Sequence, residues 1–363
     1  MTKERINALR KRFTNNYEAV IITNLNNVRY LCGYTGSNGT LVISKKAAMF
    51  FTDFRYQEQS QREINGCAQI LICKNGEDKG VFEKINEMGI KSLGFEKSLD
   101  VGRYLQFAKL FKGDKLIPTE NLVEELRQYK DKDEANALQT AFDIADNSLA
   151  ALLDDICIGM SEIDVAALLE FYMKINGSEM PSFDTIVASG PNSSCPHHQP
   201  TERKIQKGDM LKIDFGATYK GYHSDMTRTF FIGKATAKFK KIYKIVAEAQ
   251  KKAIQAIKIG EECKKIDAIA RKVITDAGYA KNFGHGLGHS FGLEIHEKPA
   301  FSPLNPSKIE VGHTYTVEPG IYLPGWGGIR IEDSFMITKD GLHRFTNFPN
   351  DLIELDLPES QEN

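Results

Sequence analysis

Residues 212–229 read KIDFGATYKGYHSDMTRT, and the spacing of Asp214 and Asp225 within them decides how the second half of the chain folds. As a β-hairpin turning at Tyr219 and Lys220, the segment pairs Thr218 with Gly221 and Ala217 with Tyr222, and so outward until Asp214 stands opposite Asp225. Directly opposed residues have Cβ atoms about 4.5–5.5 Å apart, where like charges destabilise a sheet. A proton held on one carboxylate or a cation between the two would offset that repulsion. A register slip of one residue, turning one aspartate to water, is the plain alternative.

The rest of the chain narrows the choice. Its 363 residues suffice for two domains, each burying its own core. Lys and Arg number 47 against 48 Asp and Glu, so no basic field directs the protein to nucleic acid and no acidic excess signals disorder. The cysteines at 32, 67, 73, 157, 195 and 263 form no C-x-x-C pair and read as reduced thiols of a cytoplasmic protein. No apolar run approaches the roughly 18 residues of a membrane span. The start, MTKERINALRKRF, carries charges where a signal peptide needs an apolar centre, and it reads as a surface helix.

The character of the chain changes near residue 120. Before it, the apolar runs EAVIIT, GTLVIS, AAMFFTD, AQILICK and SLGFE read as strands, with FRYQEQSQREI and KGVFEKINEMG as intervening helices, which is an α/β layer. The polar segment PTENLVEELRQYKDKDE places a boundary near 125–130, dividing the chain into residues 1–127 and 128–363. Beyond it, Leu138, Phe142, Ala145, Leu149, Leu152 and Ile156 mark one helix face. Ser161 and Asp164 look like an N-cap with its acid three residues on, and Gly177 closes that helix. Two further helices follow, one on Phe239, Ile242, Val246, Ala249 and Ala253, the other on Ile266, Ile269, Val273 and Ala277. Hairpin-like strands around them (SFDTIVASG, MLKIDFGATY, HSDMTRTFFIG, HTYTVEP, GGIRIEDSFMIT) predict an α+β second domain with antiparallel sheet.

Several groups in this second part could hold a cation. In KNFGHGLGHSFGLEIHE, His285 and His289 are four apart, but glycines at 284, 286 and 288 argue against a helix. In an extended chain the two imidazoles share a face; exposed histidines of a Gly-rich loop are the plain alternative. Glu318 ends a strand at Pro319, where a side chain can be aimed into a cleft. In GGIRIEDSF, Arg330 and Glu332 alternate with Ile329, Ile331 and Asp333, so they share a face; an ordinary surface ion pair is the alternative for them. Four carboxylates (Asp214, Asp225, Glu318, Glu332) with His289 carry 4 × −1, which two divalent ions at 2 × +2 would neutralise. Mostly oxygen ligands with one nitrogen suit Mn(II), Co(II), Fe(II) or Zn(II). Two such ions about 3.5–4 Å apart can share a hydroxide and polarise a carbonyl, which is hydrolytic chemistry.

In that order, and embedded in DFGATYKGYHSD, HGLGH, VEPG and RIED, these five residues resemble the metal ligands of the pita-bread metallopeptidases: Xaa-Pro dipeptidase (prolidase), aminopeptidase P, methionine aminopeptidase and the non-peptidase creatinase. SFDTIVASGPNSSCPHHQP is similar to the stretch that proline-specific members carry before the first ligand strand, and the first 125 residues resemble the creatinase/prolidase amino-terminal domain. The resemblance implies a dinuclear Xaa-Pro peptidase whose metal-bridging hydroxide attacks the scissile carbonyl, with manganese as the first choice of metal, proline-containing peptides as substrates and a homodimeric assembly. It implies that Asp214 binds one ion, that His289 and Glu318 bind the other, and that Asp225 and Glu332 bridge them. Glu318 would also move the proton, His197, His285 and His296 would line the cleft, and Arg330 would orient ligand carboxylates; His198 competes with His197 for its role. Dipeptidase-type relatives often carry Arg shortly after the His-Glu of the second cleft motif, where this chain has Ala300 in HEKPAFSP. A methionine aminopeptidase-like or creatinase-like hydrolase, or a metal-free protein-binding module, are the alternative readings.

Overall fold

The computed structural model describes residues 2–74 and 76–359, and the chain divides into two compact units, Met1–Arg127 and Gln128–Asn363. In the first, six strands run in the order Gln69–Ile72, Ala48–Thr52, Thr40–Ser44, Ala19–Ile22, Ser92–Glu96, Lys115–Thr119. The sheet is mixed because a three-residue connection joins Thr40–Ser44 to Ala48–Thr52 as a hairpin, while helices Gln57–Glu63, Glu77–Glu87 and Val101–Leu110 feed parallel neighbours. Ala19, Ile21, Val42, Phe51, Val81, Phe82 and Phe107 form its core. The helices Leu25–Cys32 and Val101–Leu110 escape the apolar-run reading of the sequence; each is announced instead by an N-cap, Asn24 and Asp100, whose side chain accepts from the helix's first turn.

The second unit pairs helices with strands twice. Lys132–Asp155 and Glu162–Ile175 both begin with complete capping boxes, Asp131 with Glu134 and Ser161 with Asp164. They pack on a four-stranded sheet ordered Glu354–Leu355, Met226–Ile232, Met210–Phe215, Ile186–Ser189. Ala237–Ala256 and Cys263–Asp276 pack on strands that include Thr314–Val317, Gly320–Leu323, Gly327–Arg330 and Asp333–Thr338. Strand alternation sorts the side chains: Leu211, Ile213, Phe215, Met226 and Phe230 join the core under the first helix pair. The opposite face is left with Lys212, Asp214, Thr227 and Thr229.

The hairpin differs from the expected register. Asp214 pairs with Thr227 and Phe215 with Met226, and farther out Thr218 pairs with His223 and Tyr219 with Tyr222. The turn is therefore Lys220–Gly221, with φ of 48° and 72°, and the pairing of Asp214 with Asp225 is corrected by two positions. The reason is the turn itself: a two-residue loop of this type needs positive φ at both central residues, and Gly221 supplies the second without strain. A shift of two keeps the parity of the strand, so Asp225 stays on the face of Asp214. A Cβ at Gly216 would stand 1.9 Å from the Ser224 carbonyl oxygen, so a glycine lets the two strands close beside the aspartates.

The run GGIRIED is likewise not one strand. Gly327–Arg330 pairs with Gly320–Leu323, and Asp333–Thr338 pairs with Thr314–Val317. Glu332 lies in the break between the two ladders, where its backbone N–H donates to the Thr227 carbonyl at 3.1 Å. The alternation that predicted a shared face for Arg330 and Glu332 does not hold along a continuous ladder; both side chains nonetheless line one cavity.

Candidate metal centre

Each predicted ligand sits at or beside a strand end. Asp214 is near the end of Met210–Phe215, Asp225 precedes Met226–Ile232, His289 is central in Gly288–Ser290, and Glu318 follows Thr314–Val317. Asp214, Asp225 and Glu332 are buried and bring one carboxylate oxygen each within 4.8 Å of one another. His289 Nε2 stands 3.4 Å from Asp225 Oδ2 and 3.5 Å from Glu318 Oε1. Ligand atoms about 2.1 Å from one ion at tetrahedral angles are about 3.4 Å apart, so His289 is spaced from Asp225, and separately from Glu318, as one ligand of an ion is from another. Asp214 Oδ1 and Glu332 Oε1 are buried with no hydrogen-bond partner. Such oxygens are costly to leave unpaired, and divalent cations satisfy them. The residues fit the dinuclear group that the sequence implies.

The supporting contacts orient each ligand. His289 Nδ1 lies 3.1 Å from the Ser290 carbonyl, which takes the ring proton and leaves the Nε2 lone pair toward the cluster. Thr316 Oγ1 accepts from the His289 backbone N–H at 3.0 Å and donates to Glu318 Oε1 at 3.2 Å. Thr227 Oγ1 donates to Glu332 Oε2 at 2.7 Å and accepts from Arg330 Nε at 3.0 Å. Arg330 also donates to Asp214 Oδ2 through Nη2 and to Tyr322 Oη through Nη1 at 2.8 Å. A Cβ at Gly288 would lie 2.0 Å from the Thr316 carbonyl oxygen, so the glycine before His289 lets its strand close on the neighbouring one.

Electrostatics reflect crowding. Burial, then the charges of Glu332, Asp214 and Glu318, hold Asp225 well above the usual carboxylate range. Glu332 is raised likewise by burial and then by Glu318 and Asp214. Glu318 is pushed up to about 7 by burial, against the opposing pull of Arg330. Burial lowers His289 to about 4, with the neighbouring His296 adding to it, so the imidazole is the neutral ligand form at pH 7.

The cluster opens into a cavity of about 940 Å³. His296 packs edge-on against His289, ring centroids 4.4 Å apart. His285 lines the cavity but spends both nitrogens on protein, Nδ1 on the Gly286 carbonyl at 2.7 Å and Nε2 on Tyr322 Oη at 2.9 Å. His197 and His198 both line it, and they differ in partners: His198 Nε2 is bound to Glu162 Oε2 at 2.8 Å, whereas His197 is exposed and adds its charge to the burial that depresses His296. The sequence reading missed Thr227, Thr316 and Tyr322. Thr227 and Thr316 are each two residues from a ligand, and alternation alone places them on the ligand's face.

Residues 136–339 match the model of metallopeptidase family M24, and residues 5–129 match that of the creatinase/prolidase N-terminal domain. The uncharacterized peptidase YqhT of Bacillus subtilis is 42% identical over 339 residues, covering 93% of this chain and 96% of the relative. The solved structure of Xaa-Pro dipeptidase from Bacillus anthracis superposes with a TM-score of 0.95 at 41% identity, covering 98% of this chain and 100% of that one. That of X-Pro aminopeptidase from Thermotoga maritima gives a TM-score of 0.87 at 35% identity over 93% of this chain and 97% of that one.

Proposed function

The chain belongs to metallopeptidase family M24, with a creatinase/prolidase N-terminal domain before the catalytic one, and from that premise we propose that it hydrolyses the bond between an amino-terminal residue and proline. The observation that carries the reading is the set of buried, unpartnered oxygens of Asp214 and Glu332 beside a neutral His289, at the floor of a cavity large enough for a peptide. The two solved relatives, an Xaa-Pro dipeptidase and an X-Pro aminopeptidase covering 98% and 93% of this chain, support the substrate.

Two divalent ions, manganese first among them, would be held by Asp214, Asp225, His289, Glu318 and Glu332, and when bound they supply Lewis acidity and an activated water at neutral pH. The chain's own residues do the rest. Glu318, fixed through Oε1 by Thr316, carries the proton of the attacking water on Oε2 to the leaving prolyl nitrogen. His296 and His197 face the scissile carbonyl and its tetrahedral intermediate. Arg330 holds Asp214, and through Tyr322 it fixes the ring of His285. A prolyl amide has no N–H, so a site that attacks the carbonyl without gripping an amide hydrogen suits it.

Among the described residues lining the cavity, Arg330 is the sole Lys or Arg, and it is committed to Asp214 and Tyr322. Ala300 lines the cavity where an arginine could meet the carboxylate of a dipeptide. Both observations favour peptides longer than two residues. The proposal includes residence in the cytoplasm, which six unpaired cysteines support. Incubation with Ala-Pro, Ala-Pro-Ala and Met-Ala-Ser, with and without chelator, tests the reading: chelator-sensitive release of alanine is expected, fastest from Ala-Pro-Ala. Turnover of the methionyl peptide alone, or turnover indifferent to chelation, contradicts it.

A further inference from the structure

Lys212 stands two residues before Asp214 on the same strand face and is fully buried. Lysine is among the costliest residues to bury, and an apolar side chain would pack there at less expense unless the ammonium has work to do. Its Nζ donates to three backbone carbonyls, Ser193 at 3.1 Å, Cys195 at 2.7 Å and Pro196 at 3.4 Å, which matches its three N–H bonds. These carbonyls belong to the segment that leads into His197. The Pro196 carbonyl also faces Arg330, Nη1 at 3.4 Å, and Arg330 in turn holds Asp214. The ends of the segment are fixed separately, by Glu162 at the start of helix Glu162–Ile175. That carboxylate accepts from the Ser189 N–H at 2.7 Å and the Thr201 N–H at 3.0 Å, and it binds His198. Lys212 thus clamps three carbonyls in the middle of a segment whose ends are tied to Glu162, alongside the Gly328 N–H, which donates to the Ser193 hydroxyl at 2.8 Å.

We propose that Lys212 is a positioning residue that sets His197 in the cleft by gathering the Ser193, Cys195 and Pro196 carbonyls onto the strand of Asp214. The inference rests on the reading of His197 as a group that faces the scissile carbonyl. It accounts for a buried lysine that does not line the cavity, and it couples the cleft wall to the metal centre through one strand.

A double-mutant cycle tests it, with kcat, KM and bound metal measured on the metal-loaded protein for Lys212→Met, His197→Ala and the double variant. Lys212→Met is expected to lower kcat by about 10-fold or more with KM and metal content nearly unchanged, since His197 acts on the transition state. In the His197→Ala background the same change is expected to alter kcat by less than about twofold. Equal losses in both backgrounds, or unchanged kcat in the single Lys212 variant, overturn the proposal while leaving the role of His197 intact. Full turnover by His197→Ala overturns both. Should Lys212→Met fail to fold, Lys212→Gln, whose shorter side chain offers two N–H donors to three carbonyls, goes through the same cycle: a smaller loss of kcat is expected in the single variant and less than about twofold in the His197→Ala background, and equal losses in both backgrounds overturn the proposal.

Discussion

His289 Nε2 stands 3.4 Å from Asp225 Oδ2, with its other nitrogen tied to the Ser290 carbonyl, so a neutral imidazole offers its lone pair to a buried carboxylate that cannot donate to it when ionised. Such a pair is repulsive unless a proton or a metal ion lies between its members. Asp225→Asn should therefore abolish the response to metal. Wild-type protein is expected to gain thermal stability on addition of Mn(II), and the variant to gain little and to lose at least about 10²-fold in activity. A melting temperature that rises equally in both would contradict the shared role of Asp225.

Thr227 touches two charged groups at once, Glu332 and Arg330. Thr227→Val keeps the shape but removes the hydroxyl, leaving both partners short of a buried hydrogen bond. Metal affinity is expected to fall about 10–100-fold, with activity restored by excess metal. Unchanged affinity in a metal titration would show that Glu332 needs no such support.

Tyr322 Oη lies between Arg330 Nη1 and His285 Nε2, at 2.8 and 2.9 Å. Tyr322→Phe frees the imidazole while leaving the five proposed ligands in place. A fall in kcat of about 10-fold with full metal occupancy is expected; loss of metal instead would move Tyr322 into the support of the ligands.

His313 supplies a pH prediction away from the ligands. It is buried, its Nδ1 accepts from Tyr315 Oη at 3.0 Å and faces the Glu310 N–H at 3.3 Å, and its Nε2 has no partner. Burial lowers it to about 4; the charge of Glu310 pulls upward and that of Lys130 downward. The unfolded chain takes its proton near pH 6.5, the folded one only near 4, so the unfolded state binds more protons in that window and stability falls as pH drops through it. His313→Gln should flatten this part of the acid limb by about 1–3 kcal/mol in denaturant melts between pH 7 and 4. Parallel pH dependence in the two proteins would contradict it.

The candidate ligands could be picked out of the sequence because each lies in a short run whose alternation or terminating residue reveals its direction, as Pro319 does for Glu318. The hairpin register was not, because Lys220 adopts positive φ without being glycine, which hides the turn one step from where Tyr219-Lys220 suggests it. The break after Arg330 was hidden for a different reason: alternation continues across it, and only the partners, Gly320–Leu323 on one side and Thr314–Val317 on the other, separate the two strands. Lys212 was visible as a lysine in the apolar run MLKIDF, but its meaning depends on carbonyls sixteen to nineteen residues away, which no local pattern announces.

The most direct test of the two-ion site is an anomalous difference map from crystals grown with Mn(II). Two peaks are expected, one bounded by Asp214, Asp225 and Glu332 and the other reached by His289 Nε2 and Glu318. A map without density between these side chains, or with the carboxylates turned away from one another, would contradict the metallopeptidase centre described above.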